Sequence, residues 1–134
     1  MIEEAPINVF VYGTLKRGKR NESYMDGSTF VAETQTKDAT FLMCAFESVS
    51  SPGKFTPGVF ENGESHIKGE VYEVSPEILA KLDILEGVGK KYDRKKITLA
   101  NGMKAYIYLE REGNRQPLAA SERITKTNNT YNWV

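Results

Sequence analysis

The chain of 134 residues is 40% apolar and 27% charged, which is enough hydrophobic material for one core and too short a length for a second ordinary domain. Eighteen basic residues balance eighteen acidic ones, and a net charge of zero argues against whole-surface attraction to nucleic acid or anionic lipid. One Cys and one His exclude an intramolecular disulfide and a zinc site of Cys and His ligands, and would force any Ser-His-Asp chemistry through His66.

The chain begins Met-Ile-Glu-Glu, acidic where a secretory signal is basic, and the apolar run Ile7 to Leu15 is too short to span a bilayer; a cytoplasmic, reduced setting is expected. Ile7 to Tyr12 is a nearly continuous apolar and β-branched run, the pattern of a strand buried on both faces. It breaks at Gly13, and one or two helical turns are predicted around Glu22 to Met25. A second strand is read over Ala39 to Phe46, closed by Ser50-Ser51-Pro52-Gly53. Asn62-Gly63 and Asn101-Gly102 each lie between apolar stretches, the strongest short-range hairpin cue a sequence offers. Two antiparallel hairpins are therefore expected. Ser75 as N-cap, Pro76 at the first helical position, Glu77 in the first turn and Gly87 as stop define one convincing helix. The chain turns polar after Glu110, and Trp133, the only Trp, is expected to anchor the tail. The sum is a mixed α+β fold: a curved or barrel-like, mostly antiparallel sheet with one main helix.

Ile78, Leu79, Leu82 and Leu85 form the apolar stripe of that helix. At about 100° per residue, Glu86 falls about 20° from Leu79, inside the stripe. If the helix persists to Glu86, the carboxylate faces the core or a pocket, where desolvation favours its neutral form and proton exchange near neutral pH. If the helix frays first, the side chain bends to solvent. Asp83, at the edge of the stripe, reads as solvated or as a cap for nearby amides. The break Tyr12-Gly13-Thr14-Leu15 can present backbone N–H groups to an anion or form an ordinary turn; no Walker or GxGxxG pattern accompanies it. Basic clusters at Lys16 to Arg20 and Lys90 to Lys96 border both segments, as solvated loops or as a cationic rim. His66 reads as a surface side chain, Cys44 as a small core one, and Tyr106 and Tyr108 as core packing on one strand face.

Taken in order, Val9-Phe10-Val11-Tyr12-Gly13-Thr14-Leu15-Lys16-Arg17-Gly18, Asn21, Gly69-Glu70-Val71-Tyr72-Glu73-Val74, Leu82-Asp83, Glu86-Gly87, Tyr92 and Arg94 resemble the γ-glutamylcyclotransferase-like superfamily, in particular its γ-glutamylamine cyclotransferase branch. The resemblance covers about residues 9–109 of a single domain spanning 1–134, leaving residues 110–134 as an unmatched polar tail. It implies a small mixed β-barrel with short flanking helical turns. It also implies a cofactor-independent reaction without a metal, in which the α-amine of a γ-glutamyl group attacks its own γ-carbonyl to give 5-oxoproline and a free amine. By motif match, Tyr12, Gly13, Thr14 and Leu15 hold the glutamyl end, Glu86 is the catalytic acid and base, and Tyr92 lines the pocket.

The residues read by themselves agree with such chemistry. An intramolecular attack borrows its nucleophile from the substrate, and one partly desolvated carboxylate can take and return the proton. Backbone N–H groups after a Gly break can hold the α-carboxylate or a developing oxyanion. Two other readings stand beside it: a non-catalytic module that uses the same pocket for a small anion or a partner's tail, and nucleic-acid binding through the basic clusters, which zero net charge opposes. The partner in the leading reading is a small γ-glutamyl compound, with no membrane.

Overall fold

The computed structural model describes residues 7–19, 21–47, 51–86, 88–89, 92–111, 117–118 and 121–134. Its central strand is β1 (Ile7–Val11), flanked on one side by β4 (Phe55–Val74) in antiparallel register, Ile7↔Val74 to Val11↔Glu70, and on the other by β6 (Lys104–Glu110) in parallel. Phe10 packs into one apolar cluster and Val9 and Val11 into a second on the other face, so the strand is buried on both sides as its composition predicts. β5 (Tyr92–Thr98) pairs β6 from Tyr92↔Glu110 to Thr98↔Lys104, which is the hairpin expected at Asn101-Gly102.

The other expected hairpin does not form. β4 runs through Asn62-Gly63 as one strand of 20 residues. Its first half pairs β3 (Phe41–Glu47), and the register jumps from Leu42↔Phe60 to Phe41↔Ser65, so Asn62-Gly63 sits in a bulge. Gly63 donates its N–H to the Thr40 carbonyl, and a Cβ there would lie 2.1 Å from the Phe41 carbonyl oxygen. A backbone atom cannot give way as a side chain can. Gly63→Ala is expected to lower stability by about 2–3 kcal/mol, seen as a lower urea midpoint with an unchanged slope.

Three strands escape the sequence reading. β2 (Thr29–Gln35) pairs the second half of β4, and β7 (Ile124–Thr127) with β8 (Thr130–Trp133) form a hairpin whose β8 runs parallel to β4 at His66 and Ile67. Much of the expected polar tail is thus sheet, and Trp133, 2% exposed, anchors it in the first cluster. The eight strands make one sheet in the order β5-β6-β1-β4-β8-β7, with β2 and β3 also on β4. Among the described residues the end of β2 meets the β5–β6 turn only at the bridge Thr36↔Leu99. The expected barrel is thus borne out in part: the strands form one sheet, which this bridge does not close with a ladder.

A 3-10 turn, Glu22–Met25, lies where helical turns are predicted, and the one α-helix among the described residues, α1, spans Pro76–Glu86. The Ser75 hydroxyl accepts the Ile78 N–H at 3.2 Å, confirming the cap. Leu82 is fully buried in the second cluster, with Ile78, Leu79 and Leu85 packed against it; burying a side chain like Leu82 contributes about 1.5–3 kcal/mol. Gly87, the expected stop, lies outside the described residues. No helix among the described residues is long and apolar enough to cross a membrane.

Candidate functional site

Beyond Val11 the chain leaves the sheet. Tyr12, buried, donates its hydroxyl to the Tyr108 carbonyl at 2.6 Å. At Gly13 a Cβ would lie 2.3 Å from Cγ of Pro57 on β4, so only glycine lets the two segments approach. Lys16 N–H then returns to the Gly13 carbonyl at 3.1 Å, closing a turn in which the N–H groups of Thr14 and Leu15 take no part. The turn is held from behind. Buried Glu70 on β4 accepts the Arg17 N–H at 3.0 Å and the Tyr72 hydroxyl at 3.1 Å, while Lys16 donates to the Asn132 side chain and the Trp133 carbonyl. Asn21 clasps Thr14 with its own N–H on the carbonyl at 2.8 Å and its amide on the hydroxyl at 3.1 Å.

This turn forms one side of a cavity of about 420 Å³, within the usual range for small-molecule sites. Tyr12, Gly13, Thr14, Leu15, Glu86 and Tyr92, all singled out from sequence, line it together. Tyr92 is buried and donates its hydroxyl to the Pro57 carbonyl at 3.3 Å. Helix α1 persists to its last residue at Glu86, which is half-buried in the cavity lining and does not turn out to solvent. The sequence reading missed Glu110, 6% exposed, which brings a second carboxylate to the lining. The signal was period two: Glu110 follows Tyr106 and Tyr108 at two-residue steps on one face of β6.

Asp83, half-buried, is an ion-pair and hydrogen-bond partner and not a cap. Its Oδ2 lies 2.7 Å from Arg94 Nη1, and its Oδ1 accepts the Tyr108 hydroxyl at 2.8 Å. Burial first, then that hydrogen bond, push the Tyr108 phenol far above its ordinary range, so it stays a donor. Tyr108 is buried as expected, but its hydroxyl pins α1 to the sheet; Tyr106 is half-buried, under the Arg94 guanidinium at 4.8 Å.

With this geometry in view, comparison with known proteins gives a consistent result. The profile described as gamma-glutamyl cyclotransferase, AIG2-like, matches residues 9–128. The chain belongs to this family. A Vibrio cholerae protein provisionally named a gamma-glutamylcyclotransferase is 38% identical over 109 residues, 80% of this chain and 84% of the relative. The gamma-glutamylaminecyclotransferase of Rattus norvegicus is 36% identical over 90 residues, 65% of this chain and 59% of its own. A solved AIG2-like protein from Mus musculus, at 19% identity, shares the fold with a TM-score of 0.68 over 90% of each chain.

As an enzyme of the gamma-glutamyl cyclotransferase family, the chain has less of a cationic rim than its sequence suggests. Lys16 and Arg17 brace the turn, Arg94 pairs with Asp83, and Lys95 pairs with Glu61 at 2.6 Å. Arg20, Lys90 and Lys91 lie outside the described residues. His66 is half-buried with Nδ1 2.9 Å from the Thr36 carbonyl, an acceptor that requires the Nδ1–H tautomer, and it is absent from the cavity lining. Cys44 is half-buried on β3 and not a core residue; burial and the Glu110 charge push its thiol pKa up, so it is a poor nucleophile.

Proposed function

We propose that this enzyme cyclises a γ-glutamyl amine or peptide to 5-oxoproline, with Glu86 as general acid and base. The observation that carries this reading is the half-buried Glu86 carboxylate in the same cavity as the Tyr12 to Leu15 turn. In the proposed sequence Glu86 takes a proton from the substrate's α-ammonium, and the freed nitrogen attacks the γ-carbonyl carbon to form the five-membered ring. The tetrahedral intermediate then collapses. The ring nitrogen of that intermediate still carries two protons; Glu86, having shed the first to solvent, takes one of them and returns it to the leaving nitrogen as its bond to the carbon breaks, so the products are 5-oxoproline, a neutral amine and one proton released to water. The N–H groups of Thr14 and Leu15, not engaged in the turn, are suited to hold the α-carboxylate or the oxyanion. The substrate's amine is already tethered to the carbonyl it attacks, which supplies the proximity a protein nucleophile would otherwise have to provide.

The test is a panel of γ-glutamyl amines and γ-glutamyl dipeptides incubated with purified protein, with 5-oxoproline measured directly. At least one should turn over, and silence across the panel would remove the reading.

A further inference from the structure

A second, smaller cavity of about 190 Å³ lies beside the first and shares Thr14 with it; Phe55 of its lining precedes Thr56 of the larger one. Among the described residues its charged side chains are Lys19, Lys54 and Arg123, and no carboxylate contributes to the lining. They come from three separate segments: the loop after the Gly13 turn, the turn before β4 and the segment before β7. Among the described residues these three make no ion pair, whereas Arg17, Lys68, Arg94, Lys95 and Arg111 each have a carboxylate partner. Bringing three unpaired cations to one small cavity costs Coulomb repulsion, and a bound anion relieves it. The neighbouring Lys16 ammonium, held on the Trp133 carbonyl, has its pKa pushed down by burial and then by the charge of Lys19. The larger cavity has the opposite character: among the described residues its lining holds Glu86 and Glu110 and no basic side chain.

We propose that the Lys19, Lys54 and Arg123 cavity is an anion subsite that receives a carboxylate on the leaving-amine part of the substrate. This rests on the cyclotransferase reading for its substrate. An ammonium-bearing glutamyl end then sits among the carboxylates of one cavity, while the acidic far end of the leaving amine reaches past Thr14 into the cations of the other. The enzyme accordingly favours γ-glutamyl conjugates of amino acids over those of plain alkylamines.

Trp133, the sole Trp, lines this cavity and so reports on it without turnover. Titration with inorganic phosphate at constant ionic strength should give a saturable change in Trp133 emission that persists in Glu86→Gln and disappears in Lys54→Glu/Arg123→Glu. Both substituted side chains are exposed, so the fold should tolerate the change. In the kinetic arm, γ-glutamyl-β-alanine and γ-glutamyl-n-propylamine differ by the tail carboxylate. The double variant should lose about tenfold or more of kcat/KM for the first and less than about twofold for the second, one screened charge contact being worth about a factor of ten. No saturable emission change overturns the subsite. An emission change with equal kinetic losses on the two substrates overturns its assignment to the substrate's tail. Absence of 5-oxoproline from both substrates alongside an intact, variant-sensitive emission change removes the cyclotransferase reading and leaves the anion site standing.

Discussion

Glu86→Gln is expected to abolish most turnover while leaving the protein at least as stable. A positioned acid and base contributes about 10²–10⁴-fold to a proton-transfer step, and the amide keeps the shape of the carboxylate but can neither take nor return the proton. The loss should therefore fall on kcat, with KM little changed, in a 5-oxoproline release assay. Stability should move the other way. Glu86 is the last residue of α1, with no basic residue in that last turn, so its negative charge faces the negative end of the helix dipole. Removing the charge there is worth about 0.3–1 kcal/mol, which a small upward shift in Tm would register. A carboxylate kept at the negative end of its helix and lining the cavity is the pattern expected where function requires it. Full activity in Glu86→Gln would end the proposed mechanism, and lost activity with a falling Tm would make the loss structural.

Most of the cavity was legible in the sequence because its parts are local. The Gly13 break, the capped helix and the stripe containing Glu86 are each short-range patterns, and the fold brings them to one cavity. What was illegible depends on distant partners. Asn62-Gly63 carries the same cue as Asn101-Gly102, but the chain around Gly63 is packed on the Phe41 backbone by β3, and that contact turns a hairpin signal into a bulge. β2 is half-buried at best along Thr29–Gln35, so it lacks the apolar alternation that marks a half-buried strand. The β7–β8 hairpin is polar too, yet it had a signal: Asn128 and Asn129 take φ of 51° and 57°, which two-residue hairpin turns demand and Asn tolerates. Asp83 could not be placed from its helix alone, since Arg94 and Tyr108 reach it from the neighbouring hairpin.

That last contact leads to the second large effect. Arg94 and Tyr108 are cross-strand neighbours on β5 and β6, and Asp83 grips both, one carboxylate oxygen to each. It thereby ties the last turn of α1 to the sheet. Asp83 lies three residues before Glu86, a neighbouring position on the helix surface, so whatever holds Asp83 also holds the carboxylate in the cavity. Removing one partner of a buried pair costs about 3–5 kcal/mol. The Asp83 and Arg94 side chains are 26% and 27% exposed, so solvent screening reduces the expected cost of Asp83→Ala to about 2–3 kcal/mol. Asp83→Asn should cost less, because its carbonyl oxygen still accepts the Tyr108 hydroxyl while the pairing with Arg94 is lost. A double-mutant cycle of Asp83→Ala with Arg94→Met should return a coupling energy of about 1–2 kcal/mol. Stability alone would mark Asp83 as structural, so kinetics must separate the roles. A displacement of about 1 Å in a positioned group can cost up to a hundredfold in rate. At a temperature where the variant remains folded, Asp83→Ala should lower kcat about tenfold or more and change KM by less than about threefold, with Asp83→Asn between it and wild type. Ile84→Ala removes an apolar side chain that is 81% exposed on the same helix and should alter neither quantity. Unchanged kcat in a destabilised Asp83→Ala would show that Glu86 keeps its place without the clamp.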